Sequence, residues 1–285
     1  MRLATWNVNS IRARVDRIVD FAVREHIDVL AMQEIKCKTE QFPFDRFEEA
    51  GYHVEAHGFS QWNGVAIASR EPLTDVRTAF PGMPRFEKGH PSTGSGQAPD
   101  APQEARAIGA TVGGVEVWSL YVPTGRSLGD PHYFYKLDWL SALSQYTSDS
   151  LAANPDLALA LVGDFNIAPT DADNGDPVVV PGFSTHVSPP EREAFAALEA
   201  VGLHDVVRPL IPTGYTYWDY KRLKFPRNEG MRIDFILGSH AVAEAVAGAT
   251  IHRNERKGEL PSDHVPVVVD LDLEGPDDDD RPMIF

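Results

Sequence analysis

Short apolar runs, each closed by a polar side chain, recur along the whole of this chain. Leu3-Ala-Thr-Trp6 runs into Asn7 and Asn9, and Asp28-Val-Leu-Ala-Met32 into Gln33 and Glu34. Leu157 to Val162 runs into Gly163, Asp164 and Asn166. Ile233 to Leu237 carries Asp234 within it, and Asp263-His264 stands directly before Val265 to Val269. Runs of this length read as strands, and strands apolar on both sides need cover on both faces. Helical spacing fills some of the gaps. Ile11, Val15, Ile18, Val19 and Ala22 follow Ser10, a residue type that caps helix N-termini. Helices are also expected over His132 to Gln145, Arg192 to Ala200 and, more briefly, Phe44 to Ala50. The pattern predicts an α/β (α+β) chain with two sheets packed together and helices outside.

Further strands are expected over Arg2 to Val8, Ile27 to Met32, Tyr52 to Ala56, Gly64 to Ala68, Tyr215 to Trp218 and Val265 to Leu273. Ala105 to Val112 and Val115 to Val122 read as a hairpin across Gly113-Gly114. No tandem repeat is present. Asn7 and Asn166 each follow an apolar strand, which suggests a two-fold pseudo-repeat. No linker separates the halves, so residues 1–273 read as one domain. Within it, residues 86–103 are rich in Gly, Pro and Ser and read as a flexible loop. Residues 274–285 form an acidic tail.

With 285 residues, 42% of them hydrophobic, the chain has ample material for a core. No apolar run approaches the roughly 20 residues of a membrane span. The N-terminus opens directly on a strand, and the single Cys37 rules out an internal disulfide. Cys37 itself reads as a structural thiol. A cytoplasmic, nucleoid-associated protein is expected. The net charge of −16 argues against a nucleic-acid partner. The tail accounts for −4 of it, leaving −12. A partner that is itself an anion then requires cations gathered on one face, or a metal ion supplying local positive charge.

Taken singly, each polar strand end has a structural explanation: a turn cap at Asp164-Phe-Asn166, an interface aromatic at Tyr121, a partner for Arg232 at Asp234. Their recurrence on separate strands does not, because sheets gather strand ends at one edge where a site can form. These residue types support metal-assisted attack on a phosphodiester. Glu34, with Asn7, Asn9 or Asp263, supplies hard oxygen ligands suited to Mg²⁺, with Mn²⁺ as a substitute. Asp164 and Asn166 stand two residues apart, which on a strand places them on one side. Asp164 can orient or deprotonate a water, and Asn166 and His264 can donate to non-bridging oxygens as charge grows. Asp234 is the expected partner of His264, fixing its tautomer and favouring its charged form. Tyr121 is a candidate contact to the leaving group or phosphate.

The sequence resembles the exonuclease III type of abasic-site endonuclease. The likeness rests on Trp6-Asn-Val-Asn9, Gln33-Glu34, Trp62-Asn-Gly-Val-Ala-Ile67, Tyr121-Val-Pro123, Gly163-Asp-Phe-Asn-Ile-Ala-Pro169, Tyr215-Thr-Tyr-Trp218, Arg232-Ile-Asp234 and Ser262-Asp-His264, in that order. It implies a four-layer α/β sandwich with two packed mixed β-sheets flanked by helices, and a Mg²⁺ site at one end. Glu34 would be the principal metal ligand beside Asn7 and Asn9, with Asp263 within reach and Asp164, Asn166 and His264 around the same centre. Tyr121, Asp164, Asn166, Asp234 and His264 would be the catalytic set. Tyr217, Trp218 and Met231 would wall a pocket for a base-less sugar. Arg106 and Arg126 would face DNA, and Lys221, Arg222 and Lys224, in the cationic run to Arg227, would clamp phosphates. The implied activity is Mg²⁺-dependent hydrolysis 5′ to abasic sites and removal of nucleotides or blocking groups from 3′ ends of double-stranded DNA, by a monomer.

Two other functions are weighed against this one. A phosphatase of the wider superfamily, acting on inositol phosphates or phospholipids, shares Asp164, Asn166 and His264 but not the Trp62 segment with Tyr217-Trp218 and the basic run. An inactive DNA-binding module conflicts with the full set of catalytic residue types. The tail, an Asp run closing on Pro-Met-Ile-Phe285, reads either as a solubilising end or as a docking segment for a repair-protein partner.

Overall fold

A computed structural model describes residues 1–86 and 104–273 of the chain. The glycine-rich segment expected as a loop falls almost wholly outside the described residues, as does the acidic tail.

Among the described residues, twelve strands form two six-stranded sheets. The first contains β1 (Arg2–Asn7), β2 (Val29–Gln33), β3 (His53–His57), β4 (Val65–Ser69), β11 (Val246–Ile251) and β12 (Val267–Leu271), in the order β11-β12-β1-β2-β4-β3. The second contains β5 (Thr74–Arg77), β6 (Ala107–Val112), β7 (Val115–Tyr121), β8 (Leu159–Asp164), β9 (His204–Asp205) and β10 (Asp234–Gly238), in the order β5-β6-β7-β8-β10-β9. Both sheets are mixed. β1 and β2 run parallel in one, β7 and β8 in the other, and each parallel pair holds the two central places of its sheet.

This order shows a two-fold relation between the sheets, but not the one expected. Asn7 ends β1 and Asn166 follows β8, which occupy different places in their sheets. The equivalent of β8 is β2. In register the Asp164 that closes β8 matches Gln33, which closes β2, with Glu34 one residue further on.

Four layers result. Leu3, Val29, Ala31 and Ile67 of the first sheet pack against Ile108, Val117, Ala160 and Val162 of the second. Gln33 crosses this seam, its Nε2 donating to Ser119 Oγ at 3.0 Å. The outer face of the first sheet buries Trp6, Leu30 and Met32 beneath α1 (Val15–Arg24) and α2 (Phe44–Glu49), through Ile18, Phe21 and Phe47. The outer face of the second buries Trp118, Leu161 and Phe235 beneath α3 (Pro131–Ala153) and α4 (Pro189–Ala200), through Trp139, Leu143, Phe195 and Leu198. One approach is especially tight. A Cβ on Gly163, at φ 144, would lie 2.0 Å from the Leu120 carbonyl oxygen of β7. Only glycine lets β8 sit this close to its parallel neighbour.

Three local expectations differ from the structure. Ser10 caps no helix; α1 starts at Val15. The Ser10 and Ile11 amides instead donate to the carbonyls of Glu34 and Ile35, so this segment holds the chain that carries Glu34. Tyr215 to Trp218 is no regular strand. Tyr217 makes single bridges to Met231 and His264, and the Trp218 amide donates to the Asp263 carbonyl at 2.9 Å. Helix α3 runs two turns past Gln145, to Ala153, on the N-cap of Asp130 and the Pro131 that follows it.

Candidate active site

The site is built where the two sheets end side by side. Across the second sheet Tyr121, Asp164 and Asp234 are direct neighbours: Tyr121 pairs with Asp164 in the parallel ladder, and Asp164 with Asp234 in the antiparallel one. The first sheet supplies Asn7 at the end of β1 and Glu34 just past β2. Glu34 has a left-handed backbone, φ 51, which turns its side chain off the strand. Asp263 and His264 come from the segment leading into β12.

Asn7 joins the two sheets. It is fully buried, and its Nδ2 donates to Glu34 Oε1 at 2.8 Å and to Asp164 Oδ2 at 2.9 Å. Its Oδ1 accepts the Asn9 amide at 3.0 Å. Asn9 Nδ2 donates to Asp263 Oδ1 at 2.9 Å. The second oxygen of Glu34 carries an ammonium group, Lys36 Nζ, at 2.7 Å. Burial opposes ionisation of Glu34, but Lys36 and the Asn7 amide outweigh it and hold the carboxyl below its ordinary range.

His264 faces two carboxylates. Its Nδ1 lies 2.9 Å from Asp234 Oδ2, and its Nε2 lies 3.8 Å from Asp164 Oδ2. Burial works against the imidazolium, yet Asp234 and Asp164 overcome it and push the pKa up to about 10. His264 is therefore charged at neutral pH, with a proton on each nitrogen. Asp164 is driven the other way. Burial raises its pKa, the charge on His264 resists, and Asp234 and Glu34 add to the rise, to about 7. Tyr121 is raised well above a free phenol by burial and by Glu34, so it remains a proton donor.

Asn166 lies past the end of β8, in the left-handed region at φ 53, so strand alternation does not place it. Its amide donates to Asp164 Oδ1 at 2.9 Å, the expected Asx-type turn, and its Nδ2 donates to the Val122 carbonyl at 2.9 Å. The turn and the site are thus one structure.

Three side chains here carried no signal in the sequence reading. Lys36 is the one on Glu34. Lys136, fully buried in α3, donates to the Asn166 carbonyl at 2.7 Å and pairs with the equally buried Glu191. His186, at φ 75, sits close enough to feel Lys136 and His264. Burial, then Lys136, pushes its ring down to about 3. Only the i, i+3 relation of Ser188 and Glu191, a capping box, marks this neighbourhood in the sequence.

The residues expected to touch DNA divide. Arg126, Lys221 and Arg222 are exposed and Tyr217 is half-buried, its ring 4.8 Å from that of His264. Arg106, Trp218, Lys224 and Met231 are covered. Arg106 pairs with Glu104 and lies over the Tyr121 ring; Lys224 pairs with Asp176. Trp218 packs between Tyr215 and Phe225, and Met231 joins Ala168, Val187 and Ile233 in a small core. These four side chains are thus covered by protein partners, while Arg126, Lys221 and Arg222 are open to the surface.

Glu34, Asp164 and His264 bring ligand-type atoms within 4.8 Å of one another, the arrangement of a metal centre. The donor set fits a hard divalent cation through its carboxylate oxygens. His264 Nε2 is the third ligand-type atom of this cluster; with the ring charged it donates, and it would coordinate only on giving up that proton.

The sequence profile of the endonuclease/exonuclease/phosphatase family matches residues 4–264. The chain belongs to that family. Within it, exodeoxyribonuclease III of Haemophilus influenzae is 30% identical over 282 residues, covering 94% of this chain and 98% of the relative. Two solved structures superpose closely. A 3′ phosphatase from Neisseria bound to a product DNA hairpin gives a TM-score of 0.85 at 36% identity, over 95% of this chain and 99% of that one. An AP endonuclease from Archaeoglobus fulgidus gives 0.85 at 31% identity, over 96% and 100%. The exonuclease III/AP endonuclease branch is the part of the family this chain falls in, and its fold is the α/β sandwich described above. Among the described residues, no helix is long and apolar enough to cross a membrane.

Proposed function

We propose that the protein is a divalent-metal-dependent DNA-repair nuclease. It hydrolyses the phosphodiester 5′ to abasic sites and clears nucleotides or blocking groups from 3′ ends of duplex DNA. The observation that carries this reading is a buried carboxylate, Asp164, 3.8 Å from a charged imidazole, His264, with Glu34 tied to the same carboxylate through Asn7. The relatives named an exodeoxyribonuclease, a 3′ phosphatase bound to DNA and an AP endonuclease support the substrate class.

The roles follow from protonation and position. Asp164, with a pKa raised to about 7, accepts the proton of the attacking water. His264 donates through Nε2 to a non-bridging oxygen as negative charge grows there, and Asp234 holds the ring. Asn7 fixes the distance between Glu34 and Asp164. Tyr121, still protonated, donates to the phosphate or to the departing 3′ oxygen. The P–O3′ bond breaks, leaving a 3′-hydroxyl and a 5′-phosphate. Glu34 and the neighbouring Asp164 carboxylate, with Asn7, Asn9 or Asp263 beside them, would hold Mg²⁺ (or Mn²⁺ in its place). When bound, that ion supplies Lewis-acid stabilisation of the phosphate charge. Phosphates on either side meet the exposed Arg126, Lys221 and Arg222, which answers locally the acidity of the chain as a whole.

Residues 1–273 are proposed as a single domain acting as a cytoplasmic, nucleoid-associated monomer, with a repair-protein partner for the acidic tail. Pull-down with a chain lacking residues 275–285 tests that last point. The decisive experiment for function is cleavage of an abasic-site duplex, alongside a recessed 3′ end, with Mg²⁺ and with EDTA. Metal-dependent cut products on both substrates are expected. No product on either, with release of phosphate from inositol phosphates, would instead establish the superfamily phosphatase.

A further inference from the structure

Four of the five tryptophans, Trp6, Trp118, Trp139 and Trp218, are fully buried. The fifth, Trp62, is 68% exposed, and Phe59, three residues earlier, is 52% exposed. Two large rings left in water on one short turn cost hydrophobic free energy that burial elsewhere recovers.

The turn that displays them is firmly built. Asn63 at φ 51 and Gly64 at φ 91 reverse the chain directly after Trp62. A Cβ on Gly64 would strike the Ile35 side chain at 2.5 Å. Four hydrogen bonds stitch the turn to its surroundings. Ile35 and Lys36 donate to the carbonyls of Gly64 and Asn63 at 3.1 and 2.9 Å, Thr39 to that of Gly58 at 2.9 Å, and Gly64 to that of Ala105 at 2.9 Å. Lys38 bridges Phe59 in a strand-like contact, and the Phe59 ring stands edge-on to His57 at 4.7 Å. The segment gripping the turn starts at Glu34. Trp62 therefore lies within about 15 Å of the proposed metal ligand, the reach of three residues and one hydrogen bond.

Cations share this strip. Arg12 is exposed and close enough to act on buried Cys37, and the Lys38 side chain is 56% exposed, 3.9 Å from the exposed Glu40; Lys36 is taken up by Glu34. Exposed rings interleaved with cations bind nucleotides by stacking bases and pairing phosphates. In a duplex the base faces are hidden against their neighbours and only edges and backbone are open. A free base face belongs to an unpaired nucleotide.

We propose that Phe59 and Trp62 form a stacking platform for unpaired nucleotides that flank the cleavage site, such as a frayed end or single-stranded overhang. The proposal rests on the nuclease reading and adds a substrate feature to it.

Iodide quenching of tryptophan fluorescence tests it, because Trp62 is the tryptophan that iodide reaches. With EDTA present to stop turnover, a short oligothymidylate should protect Trp62 from quenching. Trp62→Ala should weaken oligothymidylate binding about tenfold, in the range of one stacked base, and Trp62→Phe should restore most of it. The same Trp62→Ala change should weaken binding to a blunt duplex several-fold less. Unchanged affinity in Trp62→Ala, or no protection by oligothymidylate, would overturn the proposal. So would equal losses on single strand and blunt duplex, which would assign the rings to a duplex surface. Protection that rises with protein concentration alone would assign them to a second copy of this chain. These readouts need no cleavage, so their failure is separate from failure of the nuclease reading, which the abasic-site assay decides.

Discussion

Asp164 and Asp234 are direct partners across the antiparallel ladder of β8 and β10, and His264 reaches over both. One imidazolium thus serves two buried carboxylates. Removing its proton leaves both without a counter-charge.

This arrangement sets a pH profile. Asp164 accepts a proton only once ionised, above about 7, and His264 donates only while charged, below about 10. A plot of log kcat/KM against pH is expected to rise through the first value and fall through the second. A bound divalent cation favours the ionised carboxylate, so saturating Mg²⁺ should move the rising limb to lower pH. His264→Asn should abolish the falling limb and slow cleavage at least about 100-fold. A flat profile between pH 6 and 9 in the wild type, without added metal effect, would contradict the assignment.

The same shifts bear on stability in one direction: each group holds its proton more tightly in the folded state, so each loses stability as pH rises. His264 has a folded pKa above its ordinary 6.5, so its contribution is complete below 6.5 and disappears as pH rises through about 10. Asp164 has a folded pKa above its ordinary 3.8, so a penalty on the folded state builds as pH rises from 3.8 and is complete above about 7. Asp164→Asn should therefore lower cleavage by about 100- to 10,000-fold and, in EDTA at pH 8, raise Tm. Kinetics and thermal melting of one preparation check both.

Glu34→Gln keeps the shape of the side chain and its acceptor for Asn7 but loses the charge. Weaker metal affinity is expected, read as an increase of about tenfold or more in the Mg²⁺ concentration for half-maximal cleavage. Chelation of the wild type should stop cleavage on both abasic and recessed 3′-end substrates. Full activity in EDTA would refute metal dependence.

Lys136 and Glu191 permit a separation of fold from function. Lys136→Met leaves Glu191 charged in the core and should cost about 3–5 kcal/mol. Lys136→Met with Glu191→Gln removes both charges and should recover much of that loss in denaturant unfolding. The Asn166 carbonyl still lacks its anchor in the double variant. Cleavage is expected to remain about 10- to 100-fold down, chiefly in kcat, because a small displacement of a positioned group is costly.

Much of the fold and part of the site could be read from residues alone. The apolar runs with polar ends located the central strands β1, β2, β7, β8 and β10, since a strand covered on both faces has to be apolar on both. The edge strands β5, β9 and β11 were missed for the converse reason, and Val246–Ile251 is nowhere fully buried. Thr74–Arg77 is mostly exposed and His204–Asp205 is two residues long, so neither shows a pattern. The Asp234–His264 partnership follows from chemistry and corresponds to a 2.9 Å contact. Lys136 was not legible, because a lysine in an amphipathic stretch reads as solvated until its partner is seen to be buried with it. For the same reason Arg106 and Lys224 were read as free cations when Glu104 and Asp176 neutralise them. Charge in a sequence marks capacity for binding; pairing, which only the fold reveals, decides whether any is left over.

The pairing of β1 with β12 sets residues 2–5 against residues 267–270. Asn7 and His264, the first and last members of the site, therefore meet only when this closure is made. A ribosome still translating the chain has released Asn7 and Glu34 long before His264 exists. The means to cut DNA is absent until the segment bearing His264 has been made and has closed onto β1.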